Sequence, residues 1–207
     1  MTDELAFVGD IHGNILALET MYARLIEKHV DEMVFLGDYI NKGPESARVV
    51  ELLVELESTT RVTVLLGNHE ELLLRALDTG DLAPFLKAGG AQTIRSYLGH
   101  PVGPDVLTEF RGAIPNHHLR FLRRMKRTYA TSEVVAEHVL PPAPDARYRI
   151  GAHTPVGVTP VVTPSFAQLD TGCGVGEGRL TSLLWPSRDI VQVNNDGQAQ
   201  PMQRISA

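Results

Sequence analysis

Cysteine is scarce in this chain of 207 residues: Cys173 stands alone. A single thiol excludes an internal disulfide framework and points to a reducing compartment. No apolar run reaches the roughly 18 residues that cross a bilayer. The opening MTDELAFVGD lacks the basic and then apolar pattern of a secretory leader. The expectation is therefore a cytoplasmic protein with no membrane partner. Positive charge is also in short supply, with 19 Lys and Arg against 25 Asp and Glu, a net −6. Nucleic acid selects clustered cations, so this balance argues against it as a partner. A small anionic substrate stays open, because a local metal ion overrides the overall charge. Repeats and linkers are missing as well. Residues 1–207 thus read as one domain, long enough for a sizeable core.

The first third alternates regularly between two hydrophobic periods. LAFVG (5–9), MVFLG (33–37) and RVTVLLG (61–67) are apolar runs of strand length. Between and after them, residues 15–29, 45–58 and 70–78 carry apolar side chains at helical spacing, with Asn14 placed to cap the first helix and Pro44 suited to the first turn of the second. This βαβαβ order predicts parallel strands and an α/β fold. Residues 80–127 read as mostly helical. Strand-like segments follow at 132–140, 147–151, 166–170, 179–185 and 189–195, the last two as a hairpin, while proline-dense 141–146 and 154–164 read as loops.

Each of the first three strands ends in a polar cluster: GDIHGN, GDYINKG and GNHEE. Loops at the carboxyl ends of parallel strands line one crevice. The three clusters together offer Asp10, His12, Asp38, Asn68 and His69. Mixed oxygen and nitrogen donors suit first-row divalent metals. Asp10 and His12 lie two apart and point the same way on extended chain. Singly, each of these residues is more often a cap, a turn former or a structural histidine. Their recurrence after three consecutive strands carries the functional reading.

These motifs resemble the GDxHG, GDxxDRG and GNHE signatures of the phosphoprotein phosphatase family of Ser/Thr phosphatases, metal-dependent enzymes within the calcineurin-like metallophosphoesterases. Bacterial and phage members are the most similar. GAHTPV (151–156) resembles the family's GHTP segment with one alanine inserted, LDTGCGVGEGRLTSL (169–183) its late DTG segment, and FLKAGGAQTIRSY (85–97) a helix of the bacterial branch. The resemblance covers roughly residues 5–185. It implies a sandwich of two central β-sheets flanked by helices, and a phosphomonoesterase in which a hydroxide held by two metals attacks phosphorus directly. The metals would be divalent: manganese first, with iron, zinc or cobalt as alternatives.

By motif position the resemblance assigns Asp10 and His12 to the first metal, Asp38 to both, and Asn68 and His153 to the second. His138, in AEHVLPP, is the best match to the family's HAG histidine, although Val139 and Leu140 replace its neighbours; read alone it is an ordinary strand-end histidine. His69 matches the general acid. Asn41 stands where the family has the carboxylate that orients this histidine. Lys42 stands where the family has a phosphate-gripping arginine and keeps the charge without the two-pronged geometry. Outside that context both are turn residues before Pro44. The short interval 138–153 leaves Arg147 and Arg149 as stand-ins for a second phosphate-binding arginine, or as plain surface residues, and implies an open cleft. Phosphorylated protein or small phosphoesters are the expected substrates, and dinucleoside tetraphosphates the nearest rival. A metal-binding module without turnover is the remaining possibility.

Overall fold

The computed structural model describes residues 4–99, 101 and 103–204. Its first half runs β1 (Leu5–Val8), α1 (Ile15–Glu27), β2 (Glu32–Phe35), α2 (Ser46–Thr59), β3 (Val62–Val64) and α3 (Asn68–Thr79). Four helices follow: α4 (Ala83–Lys87), α5 (Gly90–Leu98), α6 (Val106–Ala113) and α7 (Asn116–Arg123). The rest is β4 (Thr128–Ala130), β5 (Val134–Val139), β6 (Tyr148–Ala152), β7 (Val161–Val162), β8 (Phe166–Gln168), β9 (Arg179–Trp185) and β10 (Ile190–Asn194).

The strands form two five-stranded sheets, ordered β10-β9-β1-β2-β3 and β4-β5-β6-β8-β7. In each, three adjacent strands run parallel: β1, β2 and β3 in the first, β5, β6 and β8 in the second. The remaining strands pair antiparallel at the edges, β9 and β10 as the expected hairpin. Side-chain alternation sets the layers. Leu5, Phe7, Val34, Leu36 and Leu65 join Val134, Ala136, Ile150 and Ala167 in a core between the sheets. Ala6, Val8, Met33, Phe35 and Val64 face the other way, into a larger core with α1, α2 and the later helices. Strands β1 and β2 are buried throughout, which is why they read as continuous apolar runs rather than alternating ones.

Three elements depart from the sequence expectation. β4 lies at 128–130, ahead of the first strand expected after the helical span, at 132–140. β7 lies inside the span 154–164 read as loop; it is two residues long at a sheet edge, between prolines that hide any period. The basic segment 120–127 is only half helical. α7 stops at Arg123, and Lys126 pairs with Leu65 beyond the end of β3. Three of its four arginines are spread over acids of other elements: Arg123 on Asp78, Arg124 on Glu57 and Arg127 on Glu71.

Candidate metal centre

The parallel pairing of β1, β2 and β3 brings their carboxyl ends side by side, and the loops that leave them are stitched together. Ile11 and His12 N–H groups donate to the Asp38 carbonyl (3.1 and 2.9 Å), Gly13 to Tyr39 (2.7 Å), and Gly43 back to His12 (2.9 Å). The buried carboxylate of Glu70, at the start of α3, accepts from the N–H groups of Asp38 (2.9 Å), Tyr39 (2.9 Å), Ile40 (3.2 Å) and Gly67 (3.2 Å). Glu70 was part of a recognised motif, but its position in the sequence gave no hint that it clamps a loop some thirty residues earlier. Burial and the neighbouring Asp38 charge push its carboxyl up to about 7, against the pull of the backbone donors.

This packing holds the backbone under strain. Seven non-glycine residues among those described have positive φ, and five of them are His12, Asp38, Asn41, Lys42 and His153. Each such residue costs on the order of 1 kcal/mol or more, so the surrounding hydrogen bonds must over-determine the conformation. The loops also leave no room at Gly67, where a Cβ would overlap the Asp38 backbone.

The side chains converge. Asp10 Oδ2 lies 3.5 Å from His12 Nε2. Asp38 Oδ2 lies 3.9 Å from His12 Nε2, and Asp38 Oδ1 3.3 Å from His138 Nε2. Asn68 Oδ1 is 2.9 Å from both His138 Nε2 and His153 Nδ1. Each buried histidine is fixed from behind: His12 Nδ1 donates to the Ile40 carbonyl (3.1 Å), and His138 Nδ1 to the Leu36 carbonyl (3.0 Å). Both therefore aim an Nε2 lone pair into the cluster, the tautomer a metal ligand needs. All six residues carried over from the motifs thus lie in one cluster, His138 included despite its altered neighbours.

The donor set fits divalent cations. The buried Asp10 Oδ2 has no hydrogen-bond partner. Burial alone would lower the pKa of His138, yet the hydrogen bond and charge of Asp38 raise it to about 9. Burial is likewise outweighed at His12 by Asp10 and Asp38. Carboxylates that draw protons onto adjacent imidazoles mark a charge balance that metal ions complete on displacing those protons. The Lys42 ammonium, 2.6 Å from His12 Nε2, is a tethered cation on one of those donors.

His69 stands across the cluster, Nε2 3.6 Å from Asp38 Oδ2. Its backbone N–H donates to Asp38 Oδ1 (3.0 Å). Asn41 is fully buried and does not accept from this imidazole, as a carboxylate there would. Its Nδ2 donates to His69 Nδ1 (2.7 Å), while its Oδ1 accepts from Thr93 Oγ1 (2.7 Å). Thr93 in turn accepts from the Asn41 N–H (2.9 Å) and meets Ser46 Oγ (3.0 Å). A neutral His69 with Nδ1 so engaged carries its proton on Nε2, facing the cluster. Burial holds its pKa low, at about 4. Thr93 and Ser46 had no motif to announce them; only the fold brings α2 and α5 to Asn41.

Arg147 and Arg149 lie elsewhere. Arg147, at the amino end of β6, forms a two-pronged pair with Asp145, and Arg149 donates to the Pro141 carbonyl and covers the Phe166 ring. Asp170 lies in the late DTG segment. It is buried with Oδ2 unpartnered, and burial together with Asp10 raises its pKa.

The profile of the calcineurin-like phosphoesterases matches residues 4–166. The chain belongs to this family. It is a hydrolase acting on phosphoric esters, and family membership implies divalent metal ions. The bis(5'-nucleosyl)-tetraphosphatase PrpE (asymmetrical) of Geobacillus thermodenitrificans is 28% identical over 228 residues, covering 90% of this chain and 92% of the relative. Serine/threonine-protein phosphatase 2 of Escherichia coli is 38% identical over 84 residues, but these span 40% of this chain and only 37% of that protein. A crystal structure provisionally ascribed to a diadenosine tetraphosphatase superposes with a TM-score of 0.62 at 22% identity, covering 94% of both chains, and supports the fold.

Proposed function

We propose that the chain is a single-domain, cytoplasmic phosphomonoesterase of the Ser/Thr protein phosphatase type, with a centre for two divalent metals. The observation that carries the proposal is the convergence of Asp10, His12, Asp38, Asn68, His138 and His153 beside a histidine whose Nε2 faces the same space. Asp10 and His12 would hold one metal, Asn68, His138 and His153 the other, and Asp38 both; manganese suits this mixed oxygen and nitrogen set, and iron, zinc or cobalt can replace it. When bound, such ions activate a water and shield phosphate charge.

The chain's own groups do the rest. The Nε2 proton of His69 would go to the leaving oxygen, directly or as a hydrogen bond that strengthens as negative charge develops. Asn41 fixes that proton on Nε2, and Thr93 fixes Asn41. Lys42, an exposed side chain on an otherwise buried loop, would turn from His12 to the phosphate oxygens once His12 Nε2 is engaged. His69→Ala should leave metal content at two and lower turnover about 10²–10⁴-fold on an alkyl phosphate, much less on para-nitrophenyl phosphate, whose leaving group needs no proton. Equal losses on both substrates would remove His69 from this role.

A second reading is hydrolysis of dinucleoside tetraphosphates. It is favoured by the near full-length relative PrpE and by a mainly apolar hollow of about 410 Å³ beside Lys42, lined by Pro155, Val158 and Val175, where a base could rest. Turnover of phosphopeptides, para-nitrophenyl phosphate and diadenosine tetraphosphate by the manganese-loaded enzyme separates the two. A kcat/KM for the dinucleotide at least tenfold above the others would establish the second reading. No turnover of any of the three would reject both.

A further inference from the structure

Away from the centre, α2 and α7 place a second set of metal donors together. Glu51 Oε2 lies 2.8 Å from His118 Nε2 and 3.1 Å from His117 Nε2. All three donor atoms fall within 4.8 Å of one another. His118 is buried, and its Nδ1 is 2.9 Å from the Tyr97 hydroxyl on α5. A ring held at Nδ1 by an oxygen presents Nε2 in one direction, the arrangement that orients metal-bound imidazoles. His117 and Glu51 are each a little under half exposed, so the cluster opens to solvent on one side.

We propose that Glu51, His117 and His118 form a further metal site for a borderline divalent cation such as zinc, distinct from the phosphoesterase centre. Two imidazoles and one carboxylate match the donors and number of a three-ligand zinc site with a fourth position left to water. Bonds of about 2.0–2.2 Å put tetrahedral donors about 3.3–3.6 Å apart, so the Glu51 oxygen needs to draw back from each imidazole nitrogen by only about half an ångström. The hard cations that prefer all-oxygen shells, magnesium and calcium, are poorly served here. Such an ion would tie α7 to α2, the helix whose first residue, Ser46, contacts Asn41 and Thr93.

The test uses full-length protein whose phosphoesterase centre is first saturated with manganese. Zinc is then titrated into wild type, Glu51→Gln and His117→Ala, with bound zinc and manganese counted per chain after desalting. Both altered side chains are substantially exposed, so folding should survive either change. Exchange of zinc into the phosphoesterase centre is common to all three proteins and cancels in the comparison. Wild type should retain one more metal equivalent than either variant, or bind it at least about tenfold more tightly. Zinc should also raise the melting temperature further in wild type than in the variants. Manganese-supported turnover should be the same in all three, which keeps this site separate from the catalytic one. Equal metal content and affinity in the three proteins would overturn the proposal.

Discussion

The two sheets build the candidate centre in different ways. The first supplies Asp10, His12, Asp38 and Asn68 from three consecutive strand ends, and its loops are strained and cross-linked. His12 and Asp38 take positive φ, and Glu70 gathers four backbone N–H groups to hold the second loop. The second sheet supplies His138 from within β5 and His153 just after β6, with less scaffolding. His138 leans on one backbone carbonyl, that of Leu36, just past β2 of the first sheet. His153 also takes positive φ, but the other four strained residues of the centre, and the Glu70 support, belong to the first sheet's loops. The lesson is that the first sheet's loops set the geometry and the second sheet's histidines close it.

If that division is right, loss of Asp38 should have the largest effect. Asp38 contacts histidines from both sheets and receives the His69 N–H. Asp38→Asn should lower metal content from two toward zero and activity by more than the about 10–100-fold typical of outer partners. His138→Ala should leave one metal in place. Metal analysis after dialysis decides the matter, and equal metal loss in the two variants would erase the distinction between the sheets.

Glu70 gives the next largest effect. Glu70→Gln replaces one accepting oxygen with an NH₂ that faces backbone donors. Hydrogen bonds to buried charged groups contribute about 1.5–3 kcal/mol each. A loss on the order of 3 kcal/mol is expected, or roughly 6–12 °C in melting temperature for a chain of this size. Metal affinity should fall with it, since Asp38 is in the loop so released. A variant with wild-type melting temperature but weakened metal binding would show that Glu70 acts electrostatically rather than as a clamp.

Much of this was legible in the sequence because three apolar runs, each ending in glycine and a polar donor, fix both the strands and the residues that leave them. The sandwich and the six clustered donors came through the same motifs. His138 was harder, since its local motif is blurred; what places it is β-pairing with β6, a nonlocal fact. Glu70, Thr93 and Ser46 were silent because their work is done on the Asp38–Asn41 backbone and the Asn41 side chain, through contacts of up to 52 residues in sequence separation. The direction of the Asn41 amide was also beyond reach. The family has a carboxylate there, an acceptor for His69, whereas Thr93 turns the Asn41 amide into a donor.

That reversal sharpens the next prediction. Asn41→Asp would oblige His69 to protonate Nδ1, and a carboxylate raises the pKa of a histidine it contacts. His69, now held at about 4 by burial, would stay protonated to higher pH. Turnover of alkyl phosphates should rise several-fold near neutrality, with the basic limb of the pH–rate profile moved upward. An unchanged profile would mean that Asn41 only positions the ring.

The smallest effect should come from Lys42→Arg. Lys42 is exposed and reaches His12 through a flexible stem, so little of the fold depends on it. A guanidinium offers two parallel donors to a phosphate where an ammonium offers a point charge. Inhibition by inorganic phosphate should tighten by about three- to tenfold, an increment of roughly 1 kcal/mol, the net contribution of one ordinary hydrogen bond. The melting temperature should not move. Weaker phosphate inhibition in the variant would mean that the loop between Asp38 and Pro44 has been shaped around lysine, and that its departure from the family pattern is a specificity feature rather than a defect.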